Sequence, residues 1–213
     1  MKYKSKKKTF RNKKNKTKKG GNSDKISALI LNYNRPENLY KSLPELVKYN
    51  LINDIIVLNG HRDHKISYNH PKVRCIDDCE NNDNIFLFRR YKNSVLCRNN
   101  IILLLDDDLY PTQELLNDLL IKYYRDPENF YGPTKRLCNS LTYRNNKDSH
   151  NFIIPRLCLT SKSVILNTYQ KMEENKKLFQ KVIDQKGNCE DLFFNYEFNK
   201  LYKKLPVYVK GKF

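Results

Sequence analysis

The chain predicts an α/β domain with a mainly parallel central sheet and flanking helices, on three observations. Short apolar runs recur at Ile26–Leu31, Asp54–Leu58, Val73–Ile76 and Ile101–Leu105. Amphipathic helical patterns alternate with them, as in βαβ units. Three of the runs stop at polar, chemically loaded residues: Asn32–Arg35, Asn59-Gly60 and Asp106–Asp108. In open parallel sheets ligands bind at such carboxyl ends of strands.

Each element has a local reason. Ile26–Leu31 reads as a buried strand closed by Asn32-Tyr33-Asn34-Arg35. Pro36 suits a helix start, and Leu39, Leu43, Leu46 and Val47 repeat at helical spacing, predicting a helix over Glu37–Tyr49. Ile101–Leu105 is five Ile or Leu residues ending abruptly at three acids. Behind it, Leu115, Leu116, Leu119, Leu120 and Tyr123 mark a helix with Thr112 as its cap and Glu114 in its first turn. Residues 129–160 read as irregular strands and loops. Val164–Ile183 and Asp191–Tyr202 read as helices.

Charge divides the 213 residues unevenly. Eleven of the 41 Lys and Arg lie in residues 2–19 with no acid, and the remaining 30 against 23 Asp and Glu leave +7 of the total +18. Like charges repel there and nothing apolar can be buried, so residues 1–23 are expected to be a disordered basic tail and residues 24–213 one folded domain. The tail suits salt-sensitive binding to nucleic acid or an anionic surface, but the body carries no helix-turn-helix or stacking motif. No apolar run approaches the ~20 residues of a membrane span, and no signal peptide is visible. The expected location is cytoplasmic, with a nuclear address or a virion-packaging arm as alternative readings of the tail. The six cysteines form no CxxC pair and are expected to be reduced thiols. The four histidines make no HExxH, and GxGxxG, P-loop and GxSxG motifs are absent, which argues against zinc, dinucleotide, P-loop and serine-hydrolase chemistry.

Two acidic features carry the chemistry. Asp106-Asp107-Asp108 places three repelling carboxylates after a buried strand, and hard oxygen donors there suit Mg²⁺ or Mn²⁺. Asp106 and Asp108 can face one ligand while Asp107 points elsewhere. The plainer alternative is a solvated acidic turn before a helix. Glu190-Asp191 opens the last helix, where the choice is between helix-start electrostatics and a base, acid or acceptor-orienting carboxylate. Arg89, Arg90, Arg136, Lys210 and Lys212 are candidate phosphate or carboxylate partners.

In order and spacing, these segments resemble the exostosin-like glycosyltransferases, typified by the C-terminal domain of the exostosins, with a GT-A (nucleotide-diphospho-sugar transferase) fold. The resemblance runs from Ile26 to Phe213. It rests on Leu31-Asn32-Tyr33-Asn34-Arg35, Asn59, Asn84 and Arg89 five apart, and Leu104-Leu105-Asp106-Asp107-Asp108. Further along it takes in Tyr131-Gly132-Pro133 with Arg136, Asn188-Cys189-Glu190-Asp191 with Asn195, and Val207–Phe213, which resembles a basic closing strand.

The resemblance implies a metal-dependent glycosyltransferase using Mn²⁺ or Mg²⁺. It would move an N-acetylhexosamine or related sugar from a UDP-sugar to a glycan or glycoprotein acceptor, with retention. Carried over, Tyr33, Arg35, Asn59, Asn84, Arg89, Asp107 and Arg136 would serve the donor. Asp106 would contact ribose or sugar and, with Asp108, belong to the metal site. Asp191, with Glu190 beside it, would stand at the reaction centre. The chain departs from the family at Ser161-Lys162-Ser163, where small Gly and Ala are usual, and at the C-terminus, where the family's catalytic arginine has no clear counterpart and Lys210 or Lys212 is a weak substitute. A nucleic-acid-associated protein and a non-catalytic sugar-binding relative are the competing readings, and intact acids at both motifs count against the second.

Overall fold

A computed structural model describes residues 25–60, 65–77, 87–138, 143–144, 151–186 and 188–213. The basic residues 2–19 and Asn84 lie outside the described residues. The elements run β1 (Ile26–Asn32), α1 (Pro36–Leu46), β2 (Ile52–Asn59), β3 (Val73–Asp77), α2 (Arg89–Lys92), β4 (Ile101–Asp106), α3 (Gln113–Arg125), β5 (Tyr131–Gly132), β6 (Lys135–Cys138) and β7 (Tyr143–Arg144). They continue with β8 (Phe152–Ile153), β9 (Leu157–Ser161), α4 (Lys162–Glu174), α5 (Lys176–Asp184), α6 (Glu190–Tyr202) and β10 (Val207–Tyr208).

The main sheet has the order β10-β5-β9-β4-β1-β2-β3. Strands β1, β2, β3 and β4 are mutually parallel, whereas β9 runs antiparallel to both β4 and β5. The expected mainly parallel α/β sheet is therefore present. Its chain reverses direction of progress at β1, which has β2 on one side and β4 on the other, a topological switch point of the kind that opens a ligand crevice.

Near-continuous apolar strands follow from burial on both faces. In β4, Ile101, Leu103 and Leu105 enter the core shared with α1 and α3. Ile102 and Leu104 enter the opposite core, with Phe193, Phe194 and Phe198 of α6 and Val164 and Ile165 of α4. The period of two in side-chain direction thus feeds two helical layers at once. In α3 the Thr112 hydroxyl accepts from the Leu115 N–H at 3.3 Å, as its sequence position predicts.

Three expectations are corrected. The single helix over Val164–Ile183 is two, α4 and α5, parted at Asn175 (φ −84°, ψ 61°). The Asn175 backbone N–H still closes α4 on the Lys171 carbonyl at 3.1 Å, and its side-chain amide donates to Glu197 Oε1 at 2.8 Å, which ties the break to α6. The helix expected over Glu37–Tyr49 stops at Leu46. The closing strand is only Val207–Tyr208, because β5, its partner, is itself two residues long. Residues 129–160 supply β5 and a second small sheet, β7-β6-β8. Gly132 is required at that junction: a Cβ there would come within 2.7 Å of Ile153 Cγ2 and 2.8 Å of the Leu157 carbonyl oxygen.

Candidate active site

Strand register alone gathers polar residues from distant parts of the chain at one sheet edge. Leu31 pairs with Asp106, Asn32 with Asn59, and Asn59 with Asp77. Beyond that edge, the three consecutive aspartates separate by role.

Asp107 turns inward and is 2% exposed. Arg35 Nη2 donates to its Oδ1 at 2.6 Å, and the Ser42 hydroxyl donates to its backbone carbonyl at 3.1 Å. With its amide oriented to donate, Asn32 Nδ2 reaches Asp107 Oδ2 at 3.1 Å and the Arg35 carbonyl at 3.2 Å. Burial pushes the Asp107 carboxyl up to about 6, with Arg35 pulling the other way. This side chain, expected among the donor contacts, clamps the β4 turn to the start of α1.

Asp106 and Asp108 stay partly exposed, and each is held on one oxygen by an arginine. Arg90 Nη2 donates to Asp106 Oδ1 at 2.8 Å, and Arg35 Nη1 reaches Asp108 Oδ2 at 3.5 Å. Their other oxygens both face Arg156, whose Nε is 3.9 Å from Asp106 Oδ2 and whose Nη2 is 3.7 Å from Asp108 Oδ1. Among the described residues no group of three or more His, Cys, Asp and Glu side chains converges as a metal cage. Two partly exposed carboxylates separated by one residue are nevertheless the donor set that Mg²⁺ or Mn²⁺ uses when phosphate and water complete the shell, so the residues present fit such an ion.

Arg90 joins the two acidic motifs. Its guanidinium is buried, and Nη1 donates to the Pro155 carbonyl at 2.9 Å. Burial works against its charge, but Asp106 and Glu190 outweigh it and hold the group cationic. Asp106 comes from β4 and Glu190 from the first turn of α6, 84 residues later. At the turn into α6, Cys189 adopts a left-handed backbone (φ 73°), a conformation costing a side-chain-bearing residue roughly 1–2 kcal/mol. Glu190 is buried and Asp191 half-buried. Burial raises the carboxyl of each; at Glu190 Arg90 opposes it and Asp191 adds to it, while at Asp191 the Leu192 N–H and then Arg90 oppose it and Asp106 adds to it. Asn195, four residues on, donates to the Asp191 carbonyl at 2.8 Å and exchanges hydrogen bonds with the Ile153 backbone. It therefore pins α6 to the small sheet.

An open cleft of about 440 Å³ is lined by Leu31, Tyr33, Asn34, Arg35, Leu87, Arg90, Asp106 and Asp107, within the usual range for small-ligand sites. A concavity of similar size on α4 and α6, about 430 Å³, shares no residue with it. Of the site residues singled out from sequence, Tyr33, Arg35, Arg90, Asp106 and Asp107 line the cleft, and Asp108 is not among its lining residues. Asn59 is buried and donates to Asp77 Oδ1 at 2.9 Å, bracing the sheet edge. Arg89 is buried at the start of α2, but it is its neighbour Arg90 that meets Asp106. Arg136 lies on β6, donates to the adjacent Lys135 carbonyl, and is not among the cleft-lining residues. Lys210 and Lys212 are exposed, and the Lys212 carbonyl accepts the Thr112 N–H and hydroxyl at 3.3 and 3.1 Å, anchoring the C-terminus to α3. The free cysteines described are Cys75, Cys97, Cys158 and Cys189. No described helix is long and apolar enough to cross a membrane.

Arg156 and the Pro155 carbonyl have no sequence signal. They precede β9, and only the antiparallel pairing of β9 with β4, Leu157 against Leu105, carries them to Asp106.

Comparison with known proteins bears on the fold and the family. The chain is similar in fold to the 2-C-methyl-D-erythritol 4-phosphate cytidylyltransferase of Francisella tularensis, with a TM-score of 0.57 and 12% identity over 88% of this chain and 91% of that one. A 4-diphosphocytidyl-2C-methyl-D-erythritol synthase gives a TM-score of 0.57 at 11% identity, over 88% and 90% of the two chains. At such identities the likeness is one of fold. A search of curated proteins returns no match. The model of the glycosyl transferase family 64 domain matches residues 26–212, from the first residue of β1 to the last residue but one, and takes in both acidic motifs. The chain belongs to glycosyl transferase family 64.

Proposed function

We propose that this glycosyltransferase resembles the exostosin-like enzymes in being metal-dependent, and that it moves an N-acetylhexosamine from a UDP-sugar to a glycan or glycoprotein acceptor with retention. The observation that carries the reading is the meeting of two acidic motifs, Asp106–Asp108 and Glu190-Asp191, around the buried Arg90 beside an open cleft.

In this reading Tyr33 and Arg35 take the nucleotide side of the donor. Asn59 acts from beneath by holding the sheet edge, and Asn84, Arg89 and Arg136 remain donor-side candidates by resemblance. Asp106 and Asp108 would hold Mn²⁺ or Mg²⁺, which when bound supplies Lewis-acid neutralisation of the departing diphosphate. Arg35 and Arg90 add fixed positive charge where the leaving group gains negative charge. Arg90 also keeps Asp106 oriented by a 2.8 Å bond that substrate need not form anew. Asp191 stands at the sugar or acceptor, and Glu190, buried against Arg90, fixes the α6 turn that presents it. Residues 2–19 would add salt-sensitive attraction to nucleic acid or anionic surfaces through charge alone.

The test is calorimetric titration of UDP into the full chain at moderate salt, with and without Mn²⁺, beside Asp108→Ala. Binding that needs both the ion and Asp108 supports the reading, and UDP-sugars then identify the donor. Absence of UDP binding by a folded protein under every metal condition would sink it.

A further inference from the structure

Three arginines surround the Asp106–Asp108 pair, but they are not equivalent. Arg90 is committed: it hydrogen-bonds Asp106 Oδ1 and the Pro155 carbonyl and is buried. Arg35 is committed to Asp107 at 2.6 Å. Arg156 faces the two oxygens the others leave, Asp106 Oδ2 and Asp108 Oδ1, at 3.9 and 3.7 Å. Those separations are ion-pair distances beyond the 2.7–3.2 Å of a formed N–H···O bond. Its Nε is buried and has no hydrogen-bond partner, which is costly for a donor unless a further ligand satisfies it.

The base of this side chain is fixed. The Arg156 carbonyl accepts the Asp106 N–H at 2.8 Å, and the preceding Pro155 carbonyl accepts from Arg90. The backbone is thus stapled to the end of β4 while the guanidinium, on a side chain about one-third exposed, stays uncommitted. A positive group poised between two carboxylates, with donors unspent, occupies the electrostatic place of a divalent cation.

We propose that Arg156 is a built-in counter-cation of the Asp106–Asp108 pair: in the donor-free protein it neutralises the two carboxylates, and when the metal-bound diphosphate arrives it yields them and turns its donors to the diphosphate oxygens. This rests on the nucleotide-sugar reading given above. It explains how adjacent acids are tolerated without an ion, and it makes metal uptake depend on the nucleotide. Free Mn²⁺ must displace a tethered cation, whereas Mn²⁺ arriving with a diphosphate gives that cation a new partner. Guanidinium geometry suits the exchange, since its planar fork matches carboxylate and phosphate alike.

The test has two readouts that move in opposite directions, both on the full chain and neither an activity. Mn²⁺ alone is titrated while free ion is followed by its paramagnetic resonance signal. UDP is then titrated calorimetrically at saturating Mn²⁺. In Arg156→Met, Mn²⁺ alone is expected to bind about tenfold more tightly, and UDP with Mn²⁺ about tenfold more weakly. Arg156→Lys, which keeps the charge and loses the fork, should leave Mn²⁺ alone as weak as in the wild type. A merely structural role would weaken both ligands together, and a simple phosphate contact would leave Mn²⁺ alone unchanged; either result overturns the proposal. If wild type takes up no Mn²⁺ even with UDP, the nucleotide-sugar reading falls and this proposal with it. If wild type binds both and Arg156→Met fails to tighten Mn²⁺, only the role of Arg156 falls. Matching unliganded melting curves and circular dichroism establish that the variants are folded.

Discussion

The two ends of the central sheet each bury an acid against an arginine, and the outcomes are opposite. At the amino end of β2, Asp54 is 1% exposed. It accepts from Ser27 Oγ at 2.7 Å, from Arg74 Nη2 and Nε at 2.7 and 3.1 Å, and from the Arg98 N–H at 2.9 Å. Burial alone would raise its carboxyl, but these bonds, led by the Arg98 N–H, bring it below the ordinary range. At the carboxyl end, Glu190 is also buried, beside Arg90, yet its carboxyl is raised, because burial and the neighbouring Asp191 exceed what Arg90 returns. One arginine does not settle a buried acid; the number of donors does. The amino end spends its donors on stability. The carboxyl end leaves them unspent, with orphaned Nε atoms on Arg90 and Arg156, and unspent polar groups are what a ligand can use.

The contrast can be broken most severely at Asp191. Asp191→Asn is expected to lower glycosyl transfer by two to three orders of magnitude, the scale of a positioned catalytic group, with little change in melting temperature. Turnover and a thermal scan on the same preparation check it. Next in size is Asp54→Ala, which strands Arg74 and Ser27 in a buried site and should cost about 3–5 kcal/mol in denaturant unfolding, while UDP affinity of the folded fraction stays unchanged.

The pH response sharpens the same comparison. Glu190 has its folded value raised, so its contribution is fully present below the unfolded value near 4.5 and is lost as pH rises through the raised one. Asp54 has its folded value lowered, so its contribution is present above about 3.8 and lost as pH falls through the folded value. Glu190→Gln should therefore gain on wild type in melting temperature as pH is raised from 4.5 toward neutrality, whereas Asp54→Asn should lose least on wild type in strong acid. A Glu190→Gln offset that stays constant with pH would contradict the assignment. The smallest effect is expected at Thr112→Ala, where loss of the α3 cap costs about 1 kcal/mol and loosens the C-terminal segment held through the Lys212 carbonyl, readable by hydrogen exchange at Leu115.

Much of the amino-terminal half was legible because its signals are local. Apolar strands of five or six residues, a proline at a helix start and a threonine cap each act within a few residues, and β1, α1, β2, β3, β4 and α3 follow from them. Residues 129–160 were not legible to the same degree. Strands of two residues such as β5 and β8 have no periodicity to read, and their existence depends on partners elsewhere in the chain. The break at Asn175 was hidden for the same reason, since Glu197, to which its side-chain amide is tied, lies 22 residues on.

By itself the sequence determined the sheet-forming runs, the polar strand ends and both acidic motifs, because hydrophobic periodicity and like-charge clustering are properties of neighbouring residues. Tertiary structure decided how the acids divide their roles. Asp107 became a clamp because α1 begins beside it with Arg35 and Ser42. Arg90 became the link between the motifs because its side chain reaches Asp106 and lies within charge range of Glu190. Arg156 entered the site because β9 runs antiparallel to β4, which brings the residue before β9 to the end of β4. Charge interactions fall with distance through space and are indifferent to distance along the chain, so the pairing of these charges became visible only when the sheet was closed.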